Sequence, residues 1–135
     1  MSVLDTSATV DYLLRTGASA QVVPLLAESP PPCAPDMMAF EVLAVLRRHA
    51  LRGVISGSRA AAALRDLGAM PIEWFASMPL RLRAFDLREN VGPADAIFVA
   101  LAEELGERLV TKDAGLAAAV ASLGNVEVRR LRDPE

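Results

Sequence analysis

The chain has 135 residues and a formal net charge of −3, with 53% hydrophobic and 23% charged residues. Because domains commonly have about 100–200 residues, we expect one domain over residues 1–135, and the apolar content excludes a wholly disordered chain. A single cysteine and a single histidine exclude a Cys/His zinc site. No apolar run is long enough to span a bilayer, so we expect a cytoplasmic protein with no membrane association.

The spacing of apolar residues and the positions of Gly and Pro predict strands that alternate with helices. In chain order the predicted elements are a strand at Ser2–Leu4, helices at Thr6–Arg15 and Ser19–Ala27, a strand at Cys33–Ala34, helices at Asp36–Leu51 and Ser56–Leu67, a strand at Ile72–Phe75, helices at Leu80–Arg88 and Pro93–Leu105, a strand at Arg108–Thr111, a helix at Ala114–Ser122 and a strand at Val126–Leu131. We expect Asp36 to cap its helix. The alternation predicts a three-layer α/β/α domain with a mainly parallel central sheet.

Four carboxylates occupy positions where a parallel sheet would bring them together. Asp5 and Asp113 each follow a predicted strand and begin a helix, and Asp95 lies in the first turn of another helix. Each of these three could be a simple helix cap or first-turn residue. Glu41 is surrounded by apolar residues and has no basic neighbour one turn away. Its helix could also keep a narrow solvated stripe that Glu41 shares with Arg48 and Arg52.

Carboxylates that converge at strand ends repel one another unless a cation lies between them. Mg²⁺ and Mn²⁺ prefer oxygen ligands and commonly combine a few carboxylates with water and substrate phosphate. Such a centre neutralises charge on a phosphodiester and activates water for its displacement, without a histidine. The four carboxylates therefore predict a divalent metal site with phosphodiester chemistry.

The order of these motifs resembles the PIN-domain family, most of all the VapC-like toxins of bacterial type II toxin–antitoxin pairs. The resemblance is carried by Val3-Leu4-Asp5-Thr6-Ser7-Ala8, by Glu41 followed by Leu46-Arg47-Arg48, by Ala94-Asp95-Ala96-Ile97-Phe98, and by Leu109-Val110-Thr111-Lys112-Asp113.

The resemblance implies a Mg²⁺-dependent endoribonuclease, in which Mn²⁺ would substitute. Asp5, Glu41 and Asp95 would match the family's catalytic, metal-binding acidic residues, and Asp113 the fourth and more variable one. Hydroxyl positions that steady the pocket would be Thr111 with Thr6 or Ser7. The resemblance also implies a homodimer and a cognate antitoxin.

An RNA substrate must approach a chain that is acidic overall. Basic residues that could contact its backbone are Arg47, Arg48 and Arg52 on the helix of Glu41, and Arg81, Arg83 and Arg88 on another helix. Each of them could equally be ordinary solvated surface.

Three other functions are compatible with part of the pattern. A phosphotransferase of the haloacid-dehalogenase type would typically have a second Asp two residues after the first, where Ser7 stands. A phosphoacceptor receiver domain would have an adjacent acidic pair near its start. A PIN-fold module that binds RNA or a partner protein without cleaving is the third, and response to a metal would separate it from a nuclease.

Overall fold

The computed structural model describes residues 1–135 and contains five strands and seven α-helices. The strands are β1 (Ser2–Leu4), β2 (Cys33–Pro35), β3 (Glu73–Phe75), β4 (Arg108–Thr111) and β5 (Val128–Arg130). The helices are α1 (Thr6–Leu14), α2 (Ser19–Leu26), α3 (Met38–Leu51), α4 (Gly57–Ala69), α5 (Arg81–Asp86), α6 (Pro93–Leu105) and α7 (Ala114–Leu123).

The strands form one sheet in the order β3-β2-β1-β4-β5, and every pairing is parallel. The predicted α/β class is confirmed. β1 is the central strand; β2 and β3 lie on one side of it, and β4 and β5 lie on the other. Ligands of open parallel sheets bind beyond the carboxyl ends of the strands at such a reversal, here between β1 and β4.

Side-chain alternation along the strands gives the sheet an apolar core on each face. Val3 and Leu109 join a cluster of 25 buried residues that includes side chains of α6 and α7. The next residue in each strand, Leu4 and Val110, joins a cluster of seven that includes side chains of α2. Helices therefore cover both faces, as the three-layer prediction requires.

One local prediction is wrong. Asp36 does not cap α3, which begins after Met37 without a side-chain cap; instead its carboxylate accepts hydrogen bonds from Ser77 N and Oγ. The helix predicted at Leu80–Arg88 is present as the shorter α5, which follows a 3₁₀ turn at Met78–Leu80. The tertiary contact with Ser77 draws Asp36 away from the helix end.

Cys33 is fully buried, and burial raises the pKa of its thiol to about 12, which fits a small apolar core residue. No helix combines the length and apolar character needed to cross a membrane.

Candidate active site

The ends of β1 and β4 define the site. Backbone N–H of Asp5 donates to the carbonyl of Val110 at 3.1 Å, so the residues that follow the two strands lie side by side. Asp5 then begins α1 and Asp113 begins α7. Because β1 and β4 are each followed by a helix cap, two acidic residues lie at the same edge of the sheet.

Asp5 is the most deeply buried of these acids, with 4% of its surface exposed. Its Oδ1 accepts hydrogen bonds from Ala8 N at 3.0 Å and Ser7 Oγ at 2.8 Å, and its Oδ2 accepts one from Thr111 Oγ1. Desolvation outweighs these donors and raises the pKa of Asp5 to about 6. Asp5 therefore caps α1, as its position predicts, and burial makes its ionised form unfavourable.

Thr111 connects Asp5 to the start of α7. Its side chain is fully buried, donates to Asp5, and accepts from Asp113 N at 3.0 Å. Ser7 Oγ accepts from Lys112 N at 3.0 Å and donates to Asp5, which closes the same network. Two of the predicted supporting hydroxyls thus fix one predicted acid and the loop that carries another.

Thr6 supports Glu41. Thr6 Oγ1 donates to Glu41 Oε1 at 2.6 Å, across 35 residues of sequence. Glu41 lies in the first turn of α3 and is half-buried. Its partner is thus a hydroxyl of α1 rather than a cation of its own helix.

Asp95 lies in the first turn of α6 and is half-buried. Burial raises the pKa of Asp95, and the negative charges of Asp113 and Glu41 raise it further. No hydrogen bond contributes to this shift. The charges of Asp113 and Glu41 thus disfavour the ionised form of Asp95.

All four predicted acids line one cavity of about 380 Å³. The other residues that line it are Thr6, Ser7, Val10, Asp11, Val45 and Lys112. A larger cavity of about 840 Å³ lies elsewhere, and its charged lining residues are Arg15 and Asp66. The smaller cavity is the candidate site because all four predicted acids line it.

The donor set suits a hard divalent cation, since it consists of carboxylate and hydroxyl oxygens. Burial raises the pKa of both Asp5 and Asp95, and neighbouring negative charge adds to both shifts. No group of three or more His, Cys, Asp or Glu side chains is already arranged to hold an ion. The residues fit a metal by chemistry and proximity, and binding would require side-chain rotation.

The sequence did not identify Asp11 and Lys112 as site residues. Asp11 Oδ2 accepts from Ala18 N at 2.9 Å and pairs with Lys112 Nζ at 2.8 Å. Asp11 follows Ser7 by one helical turn, which is the signal that would have placed it on the same face of α1.

The predicted RNA-contacting arginines lie outside this cavity. Arg47, Arg48 and Arg52 line a separate cavity of about 460 Å³ farther along α3. Arg81 and Arg88 line another, of about 440 Å³, that reaches Pro93 at the start of α6. Arg83 pairs with Glu103 at 2.7 Å.

The acidic cavity lies at the strand reversal of an all-parallel sheet covered by helices on both faces, and comparison with known proteins names the family. The PIN domain matches residues 2–121. Ribonuclease VapC12 of Mycobacterium tuberculosis is 35% identical over 117 residues, covering 87% of this chain and 90% of the relative. Ribonuclease VapC1 of the same organism is 39% identical over 118 residues, covering 87% and 89%.

Among solved structures, a toxin–antitoxin complex from Klebsiella pneumoniae superposes with a TM-score of 0.58 at 18% identity, covering 84% of this chain and 87% of that one. This likeness concerns the fold. The family match and the identities above show that the chain belongs to the PIN domain family.

Proposed function

We propose that the protein is a Mg²⁺- or Mn²⁺-dependent endoribonuclease and the toxin of a toxin–antitoxin pair. The observation that carries the proposal is the convergence of Asp5, Glu41, Asp95 and Asp113 on one cavity. The relatives named as ribonucleases support RNA as the substrate. An RNA substrate also supports a cytoplasmic location.

Asp5, Glu41 and Asp95 would hold the metal ion, directly or through water, and Asp113 would complete or tune the site. The ion would supply charge neutralisation at the phosphodiester and activation of the attacking water. Each carboxylate oxygen has two lone pairs, so the hydrogen bonds to Asp5 leave it able to bind.

The protein's own residues orient these ligands. Thr111 and Ser7 hold Asp5 in the rotamer that faces the cavity, and Thr6 holds Glu41. Since α1, α6 and α7 all begin at this edge, their N-terminal dipoles favour the negative charge of carboxylates and phosphate.

The RNA backbone would follow the basic surfaces beside the cavity. Arg48 and Arg52 are exposed on the helix of Glu41, and Arg88 lines the cavity next to the start of the helix of Asp95. Arginine forms bidentate contacts with phosphate, which suits this role. Arg83 is a weaker candidate, because its guanidinium already binds Glu103.

Exposed apolar side chains support a homodimer and an antitoxin as partners. Phe40 is 72% exposed on α3, and Phe85 is 63% exposed on α5. Leu51 and Leu82 are each 70% exposed on the same two helices. Large apolar side chains clustered at a surface are typical of interaction sites. The toxin–antitoxin complex from Klebsiella pneumoniae, which shares the fold, supports a protein partner.

The test is incubation of the purified protein with total cellular RNA, with Mg²⁺ or with EDTA, followed by mapping of new RNA ends. We expect cleavage with Mg²⁺ only, and none by Asp95→Asn. The matched control is Asp86→Asn, an exposed acid outside the cavity, which should cleave like the wild type. Binding of RNA without cleavage would instead indicate a non-catalytic PIN module.

A further inference from the structure

Lys112 is the chain's only lysine and the only cation that lines the acidic cavity. It stands between Thr111 and Asp113, so the loop that carries the acids also carries this positive charge. None of the thirteen arginines lines this cavity. A phosphate that enters the acidic cavity therefore meets one basic side chain, that of Lys112.

The ammonium group of Lys112 has two unequal partners. Nζ lies 2.8 Å from Asp11 Oδ2 and 2.7 Å from Asp133 Oδ1. Asp11 is buried and fixed by its bond from Ala18 N, whereas the side chain of Asp133 is 65% exposed near the end of the chain. An ammonium has three donors, so one remains beyond these two pairs.

The backbone of Gly17 packs closely against Nζ of Lys112. Gly17 has a φ of +48°, and a Cβ there would lie 2.5 Å from Lys112 Nζ and 2.6 Å from Asp133 Oδ1. The close approach of a glycine backbone thus leaves room for the three charged groups. Because the side chain of Asp133 is 65% exposed, its ion pair with Lys112 is weakened by solvent, and a phosphate would displace Asp133 at low cost.

We propose that Lys112 binds a phosphate oxygen of the RNA backbone at the acidic cavity, exchanging its contact with Asp133 for the substrate while Asp11 keeps the side chain in place. This proposal rests on the ribonuclease function proposed above. Lys112 would be a substrate-binding residue that offsets the repulsion between RNA and the acids before the metal and phosphate are aligned.

A purely structural role predicts a different pattern. If Lys112 only fastens the C-terminal segment, Lys112→Met and Asp133→Asn both break its ion pair with Asp133, and neither change should strengthen RNA binding. If Lys112 binds substrate, the two changes act in opposite directions, because Asp133→Asn releases Lys112 for the phosphate. The sign of the Asp133→Asn effect on RNA affinity therefore separates the two roles.

The experiment measures binding of a fluorescein-labelled single-stranded RNA by anisotropy, in an Asp95→Asn background that does not cleave, at several KCl concentrations. We expect Lys112→Met to weaken binding about tenfold, as loss of a charge-assisted contact would. The slope of log Kd against log salt should fall by about 0.7. Lys112→Arg should keep most of the affinity, and Asp133→Asn should tighten binding.

Arg65→Met is the matched control, since it removes one positive charge from exposed α4 away from the cavity. Equal affinity and equal salt slope for Lys112→Met and Arg65→Met would overturn the proposal. If Lys112→Met does not fold, unchanged or weaker binding by Asp133→Asn overturns it instead. Failure of the wild type to cleave RNA would count against the proposed function, whereas these binding results bear on Lys112 itself.

Discussion

Thr6 Oγ1 donates a 2.6 Å hydrogen bond to Oε1 of Glu41 and so joins the first turns of α1 and α3. Thr6 directly follows Asp5, so one short segment of chain fixes two acids of the cavity. Residues that orient metal ligands through hydrogen bonds commonly affect metal affinity by about 10–100-fold.

Thr6→Val should therefore weaken Mn²⁺ binding by about tenfold, because Glu41 loses its only hydrogen-bond donor in the structure. Thr6→Ser keeps the hydroxyl and should bind Mn²⁺ like the wild type. Titration calorimetry measures both affinities. Equal affinities for the valine and serine variants would show that Thr6 does not position Glu41.

Asp95→Asn should abolish cleavage and raise the thermal stability of the metal-free protein. Burial and the charges of Asp113 and Glu41 raise the pKa of Asp95, which means that its ionised form is less favourable in the folded state than in the unfolded chain. A neutral side chain removes that penalty. Differential scanning calorimetry in EDTA tests this, and a lower melting temperature for Asp95→Asn would contradict it.

The stability of the metal-free protein should depend on Asp5 between pH 4 and pH 6. The pKa of Asp5 is raised from 3.8 to about 6, so in this window the folded state holds a proton that the unfolded chain has lost. The free energy of unfolding contributed by Asp5 therefore falls as pH rises, by about 2 kcal/mol across the window.

The difference between wild type and Asp5→Asn isolates this contribution from the other acids. Chemical unfolding in EDTA at several pH values should show the wild type losing stability relative to Asp5→Asn as pH rises from 4 to 6. Parallel stability curves would mean that Asp5 titrates normally.

Thr111→Val should destabilise the fold by about 1–3 kcal/mol, because it leaves Asp113 N without its acceptor and Asp5 without a buried donor. Thr111→Ser preserves both contacts and should cost less. Urea unfolding of the two variants gives the comparison. Equal stability of valine and serine variants would remove Thr111 from the supporting network.

The sequence is sufficient to predict that Asp5 and Asp113 lie at the same edge of the sheet. Asp5 and Asp113 follow short apolar runs and begin helices, and parallel strands end at a common edge, so their proximity follows from local pattern and general topology. Glu41 is predictable for a different reason, because an acid among apolar neighbours needs a partner from another element.

Contacts between elements distant in sequence are not predictable in this way. The hydrogen bonds of Thr6 with Glu41 and of Ser77 with Asp36 form only when the elements pack together. The same is true of the ion pair between Asp11 and Lys112. Local propensity favours Asp36 as a helix cap, and the tertiary contact overrides it. The positions of the arginines relative to the cavity likewise depend on how α3 and α5 lie against the sheet.

A thermal titration with Mn²⁺ tests most directly whether a divalent cation binds among the four acids. At an ion concentration of 100 times Kd, binding should stabilise the wild type by about 2.7 kcal/mol, and Asp95→Asn should lose most of that gain. A wild-type melting temperature that does not respond to millimolar Mn²⁺, or an equal response in Asp95→Asn, would contradict the account.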